Sequence, residues 1–131
     1  MDQRIVEHLR RNGMASLMNA TKWRELAAAL QDILADGPRV RIKYLLDDDP
    51  GPGFAHLDWE WVGEGDASII EWIEIDPVER TYRGRRVADA ERDHAESILA
   101  TLKRIGVPFS VEGGLFKVWG HVRPNAMPTL V

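Results

Sequence analysis

At Gly37-Pro38 the hydrophobic pattern of this chain changes period, and no other feature restricts its fold so tightly. Upstream, Trp23, Leu26, Ala27, Leu30, Ile33 and Leu34 recur at three- and four-residue spacing, the signature of a helix with one apolar stripe. Asn19 or Thr21 can cap its start, where a side-chain oxygen accepts an otherwise unpaired backbone N–H; Gly37 and Pro38 stop it. Downstream, Val40, Ile42 and Tyr44 alternate with Arg39, Arg41 and Lys43, as in a strand with one wet face. A helix that gives way so quickly to a strand has to pack against a sheet.

The remaining elements follow from the same two periods. Residues 1–12 form a short helix carrying Ile5, Val6 and Leu9 and ended by Asn12-Gly13. Asp47 to Gly53 is a loop, because it joins turn formers to three mutually repelling carboxylates. Ala55, Leu57, Trp59 and Trp61 then alternate with His56, Asp58 and Glu60, which predicts a second strand. Gly63-Glu64-Gly65-Asp66 reverses it, and Ile69 to Ile75 returns as the other arm of an antiparallel hairpin. A short edge strand is expected at Thr81 to Val87 around Gly84. A third helix should run from a cap at Asp89 to Ile105, burying Ala95, Ile98, Leu99, Leu102 and Ile105, with Gly106 and Pro108 closing it. Phe109 to Glu112, Gly113-Gly114 and Leu115 to Val122 read as a final hairpin.

This order, ααβββ(β)αββ, predicts an α+β fold: a mainly antiparallel sheet of about five strands with helices packed on one face. A length of 131 residues suits one domain, placed at 18–124, with a helical extension at 1–17 and a loosely held tail at 125–131. Cysteine is absent, which rules out disulfides and thiolate chemistry and suits a reducing cytoplasm. The N-terminus lacks the apolar run of a signal peptide, and no stretch approaches a membrane span. A pI near 5.5 argues against general nucleic-acid affinity.

Charge is sharply segregated. Eleven of the 21 acidic residues lie between Tyr44 and Glu79, where no Lys or Arg occurs and where three of the five tryptophans fall. Such a field suits a basic partner. Asp58, Glu60, Glu74 and Asp76 are expected to share a hairpin and form a docking surface, with Trp72 as its aromatic anchor. The competing reading pairs these carboxylates across strands with Arg39, Arg41 and Lys43 and makes Trp72 a core residue. Glu71 would interrupt an apolar row and needs a partner, for which Lys22, Arg24 and His94 are the candidates.

Motifs for catalysis are absent. His56, Asp58 and Glu60 alternate in a way that suits oxygen-rich cation coordination, yet no HExxH or EF-hand pattern supports it, so neither a metal nor a cofactor is expected. His8, His56, His94 and His121 are scattered, and Ser16, Ser68, Ser97 and Ser110 lack a nucleophile elbow. No phosphate-cradling glycine loop occurs. The basic cluster Arg80, Arg83, Arg85 and Arg86 has one nearby aromatic, Tyr82, and is read more simply as neutralising the acidic strands before it.

Met18-Asn19-Ala20-Thr21-Lys22-Trp23, Ile70-Glu71-Trp72-Ile73-Glu74-Ile75, and Val107-Pro108-Phe109 with Val118-Trp119-Gly120-His121 together resemble a small bacterial family of unknown function. Its members open with Met-Asn-x-Thr-Lys-Trp and carry a central Glu-Trp-hydrophobic-Glu strand. The likeness spans Met18 to Pro124, with His121 standing where an aromatic is expected. It implies no catalytic residue, and it places Met18 as an alternative start, with the first helix dispensable. Small acidic proteins of this kind resemble toxin-immunity proteins.

The leading expectation is therefore a cytoplasmic, non-enzymatic binding protein, immunity- or antitoxin-like, that meets a basic protein such as a toxin through Asp58, Glu60, Trp72, Glu74 and Asp76. A hydrolase or nuclease using the same carboxylates with a divalent ion is the first alternative. An oligomeric structural protein whose Trp72 face is its own contact is the second.

Overall fold

The computed structural model describes residues 2–131, and its core is the meeting of the two periods read from the sequence. Helix α1, Gln3–Arg11, begins at Asp2, whose side chain accepts from Arg4 N, and ends before Gly13, whose φ of +62° only glycine adopts cheaply. A two-residue strand β1, Ala15–Ser16, leads into α2, Ala20–Ile33. Asn19 caps α2 by accepting from Lys22 N at 2.8 Å. Leu26 and Leu30 on its inner face are fully buried, each stabilising the fold by about 1.5–3 kcal/mol relative to exposure.

Strand β2, Arg39–Tyr44, is followed by the acidic loop and by β3, only Ala55–His56. The chain then enters α3, Trp59–Glu64, and a single 3-10 turn, Ala67–Ile69. Strands β4, Ile70–Asp76, β5, Val78–Thr81, and β6, Ala90–Asp93, precede α4, Ala95–Ile105. Strands β7, Phe109–Glu112, β8, Leu115–Trp119, and β9, His121–Val122, complete the fold.

The main sheet has five antiparallel strands in the order β3-β2-β4-β8-β7, as an α+β fold requires. Val40, Ile73, Ile75, Phe116 and Val118 share a hydrophobic core with Trp23, Leu26 and Leu30 of α2, Trp59 and Val62 of α3, and Ile98 and Leu102 of α4. Two small ribbons, β1-β9 and β5-β6, stand outside the sheet.

Five expectations are corrected. Residues 57–61 are not strand: Asp58 accepts from Trp61 N at 3.2 Å and caps a helix, which turns Trp59 and Val62, three residues apart, into one buried face against α2. Strand β4 therefore pairs not with residues 55–61 but with β2 and β8. The edge strand sought at 81–87 lies earlier, as β5, and its partner β6 occupies the stretch assigned to the start of the third helix, which begins instead at Ala95. His94 is the N-cap and makes no side-chain cap bond, while Asp93, one residue earlier, accepts from Ala95 N at 2.9 Å; Asp89, expected as the cap, lies before β6.

Candidate functional site

Antiparallel register decides where the predicted docking residues go. Arg39 stands opposite Asp76, Arg41 opposite Glu74 and Lys43 opposite Trp72, on the sheet face turned away from Ile73, Ile75 and the helices. Arg41 Nε donates to Glu74 at 2.7 Å, and Asp76 lies 3.5 Å from Arg80. Trp72 is 9% exposed, with the Lys117 ammonium 4.0 Å from its ring centre and 4.5 Å from that of Trp119. Trp119 Nε1 in turn donates to Ser110, whose hydroxyl donates to Glu112, each at 2.9 Å. This face brings Trp72, Glu74 and Asp76 together but matches them with Arg41, Arg80 and Lys117. Asp58 and Glu60 stand apart on the helical layer, Asp58 as the α3 cap and Glu60 exposed in its first turn.

The conflict over Glu71 is resolved by a bulge. The register skips one residue of β4, so Lys43 faces Trp72 while Tyr44 faces Ile70, and Glu71 is the extra residue. It thereby leaves the apolar row. Its carboxylate is buried with Lys43 at 3.5 Å and Arg123 at 3.2 Å, neither of them among the partners expected.

Among the described residues, no group of three or more His, Asp or Glu is placed to hold a metal ion. A recess of about 250 Å³ between Pro38, Arg39, His56, Asp76, Glu79 and Arg80 carries side chains that already pair with one another or with neighbours: Arg80 reaches Asp76 and Glu91, and the His94 ring lies 3.2 Å from Glu79.

A different recess gathers apolar groups under acids. Tyr44, Leu46, Trp61, Ile69 and Ile5 line a groove of about 450 Å³, with Asp2, Arg4, Asp47 and Asp66 at its rim. Tyr44 and Trp61 meet edge to face, ring centres 6.5 Å apart, and Leu46 is 46% exposed. Burial first, and the charge of Asp47 second, push the Tyr44 hydroxyl above the ordinary phenol range, so it remains a donor at neutral pH. Arg4 is engaged with Asp2 at 3.2 Å, whereas neither Asp47 nor Asp66 has an ion-pair partner among the described residues. The sequence signal for this groove was present in Tyr44, Trp61 and the adjoining acids, but reading 57–61 as a strand hid it.

The three motif segments quoted above converge on one further place. Met18, Asn19, Ala20, Trp23 and His121 line a cavity of about 90 Å³ together with Asp66 and Ser68. Gly120 sits so close that a methyl group there would overlap the Ile70 carbonyl and press on Trp23. His121 is buried, its Nδ1 2.8 Å from Ser16 Oγ and its Nε2 2.8 Å from Ser68 O. Burial, aided by His8, holds the imidazole below the ordinary histidine pKa, against the opposing effects of the Ser68 hydrogen bond and Glu71.

A family model spans residues 5–125, nearly the whole chain and every element from α1 to β9. The chain belongs to this family of unknown function (DUF6678). No curated protein and no solved structure matches it. Membership brings no activity with it, so function in this family has to be argued from geometry. Among the described residues, no helix is long and apolar enough to cross a membrane.

Proposed function

We propose that this DUF6678 chain is a binding protein of the immunity or antitoxin-like kind, acting in the cytoplasm, which captures a basic segment of another protein. The observation that carries the reading is the groove of Tyr44, Leu46, Trp61 and Ile69 under Asp47 and Asp66. An apolar side chain inserted there would supply desolvated contact area, while flanking Lys or Arg residues met the two carboxylates. Asp48 and Asp49, both exposed, extend the negative rim along the loop and would speed encounter with a cationic partner. Occlusion of the partner's cationic site is the mechanism. In this reading the docking role first given to Trp72 passes to Trp61, and that of Asp58, Glu60, Glu74 and Asp76 to Asp47 and Asp66: Glu74 and Asp76 are matched by Arg41 and Arg80, and Asp58 and Glu60 do not line this groove.

The test is titration of the chain with a basic peptide carrying one central Leu between Lys and Arg residues, followed by nuclear magnetic resonance. Shifts confined to Tyr44, Leu46, Trp61 and Ile69, weakened by salt and lost in Leu46→Asp and Asp47→Lys, are expected. Shifts scattered over the surface, or binding untouched by both substitutions, would overturn the reading.

A further inference from the structure

Apart from docking, we propose that Ser16 is an acyl-accepting nucleophile with His121 as its general base, and that its substrate is a carboxylic ester with a short acyl group. Hydrogen-bond chemistry settles the proton positions. Ser68 O can only accept, so the imidazole proton sits on Nε2, 2.8 Å from that carbonyl. Nδ1 is then a bare lone pair, and the Ser16 hydroxyl 2.8 Å away must donate to it. A hydroxyl aimed at an imidazole lone pair, with the ring held from behind by a third group, is the arrangement that activates serine. The Ser68 carbonyl here takes the orienting part that a carboxylate takes in a triad.

Accessibility and space agree with this. Ser16 is exposed on β1, whereas His121 on β9 is buried, so a reagent meets the nucleophile first, with the base held in place behind it. His121, the hydrogen-bond partner of Ser16, itself lines the cavity of about 90 Å³, a space of the size of a short acyl group. Depression of the His121 pKa by burial keeps the base unprotonated at neutral pH.

In the reaction, Ser16 Oγ bonds to the ester carbonyl carbon as its proton passes to His121 Nδ1. The bond to the alkoxy oxygen breaks, and the leaving alcohol takes that proton. Water then attacks acyl-Ser16, giving a proton to Nδ1, which returns it to Ser16 Oγ as the acid departs. Ester and water become acid and alcohol, and the chain is restored.

The full chain treated with a fluorophosphonate, then mapped by mass spectrometry, tests the assignment. One adduct per chain is expected, on Ser16, formed about a hundredfold faster than on the heat-unfolded chain, as general-base assistance allows. Its rate should rise with pH to a plateau, with the inflection below 6.5, the ordinary histidine value. Hydrolysis of p-nitrophenyl acetate should fall to background in Ser16→Ala. An adduct at other serines, equal labelling of folded and unfolded chains, or a rate that climbs with hydroxide and shows no plateau would overturn the proposal. Labelling of the unaltered chain decides the matter even if Ser16→Ala proves unstable.

Discussion

The Lys43 ammonium lies 3.5 Å from the Glu71 carboxylate, and both side chains are 7% exposed. Such a pair is costly to break singly and cheap to replace whole. Lys43→Met leaves Glu71 with Arg123 alone, and should lower unfolding free energy by about 3 kcal/mol. Lys43→Met combined with Glu71→Leu should recover most of that loss. Urea unfolding of both variants measures it, and an additive double loss would count against the pairing.

Gly37 has φ +71°, and a methyl group there would overlap the buried Trp59 indole. Gly37→Ala should therefore combine left-handed strain of ~1–2 kcal/mol with an overpacking cost of ~1–3 kcal/mol. Gly51→Ala is the control, since nothing lies within 4 Å of its added methyl and its φ is not positive. Its melting temperature should match that of the unaltered chain.

Acidification should destabilise the fold through His121. Its folded pKa lies below the ordinary 6.5, so below that value the unfolded chain binds the extra proton first. The stabilising contribution is complete above 6.5 and is lost as pH falls through the depressed folded value. Unfolding midpoints measured from about pH 5 to pH 8 should decline on the acid side. An imidazole resonance titrating at or above 6.5 would remove the basis of this expectation.

Lys117 lies between Trp72 and Trp119, so Lys117→Met should cost ~1–2 kcal/mol and alter tryptophan emission, while Lys117→Arg retains most of the stability. Equal unfolding midpoints for Lys117→Met and the unaltered chain would show that the ammonium contributes nothing there.

Removal of residues 1–17 is expected to lower the melting temperature. Ala15 and Ser16 pair with Val122 and His121, Leu17 N donates to Gly120 O at 2.9 Å, and Ile5 is buried. A chain starting at Met18 would expose β9 and leave His121 Nδ1 without its hydroxyl. Thermal melting of the shortened chain provides the comparison.

Periodicity made α2, β2, β4, α4 and the β7-β8 hairpin legible, because each buries one face against a common core. It misled at 57–61, where the same residues satisfy two periods: Trp59 and Trp61 alternate, but Trp59 and Val62 also stack on a helix. The Asp58 side chain tipped the balance through a bond to Trp61 N that alternation does not register. Glu71 was opaque for another reason, since a bulge follows from pairing between distant strands. Ser16 and His121 are 105 positions apart and carry no local motif, so only the β1-β9 pairing joins them.

The rims of the five-stranded sheet restrict how this protein associates. One rim is the two-residue strand β3, too short to template another chain; at the other, the Phe109 carbonyl already accepts from the amide of Val131 at 2.8 Å. Backbone-to-backbone strand recruitment is thereby discouraged on both sides, leaving side chains to select what binds.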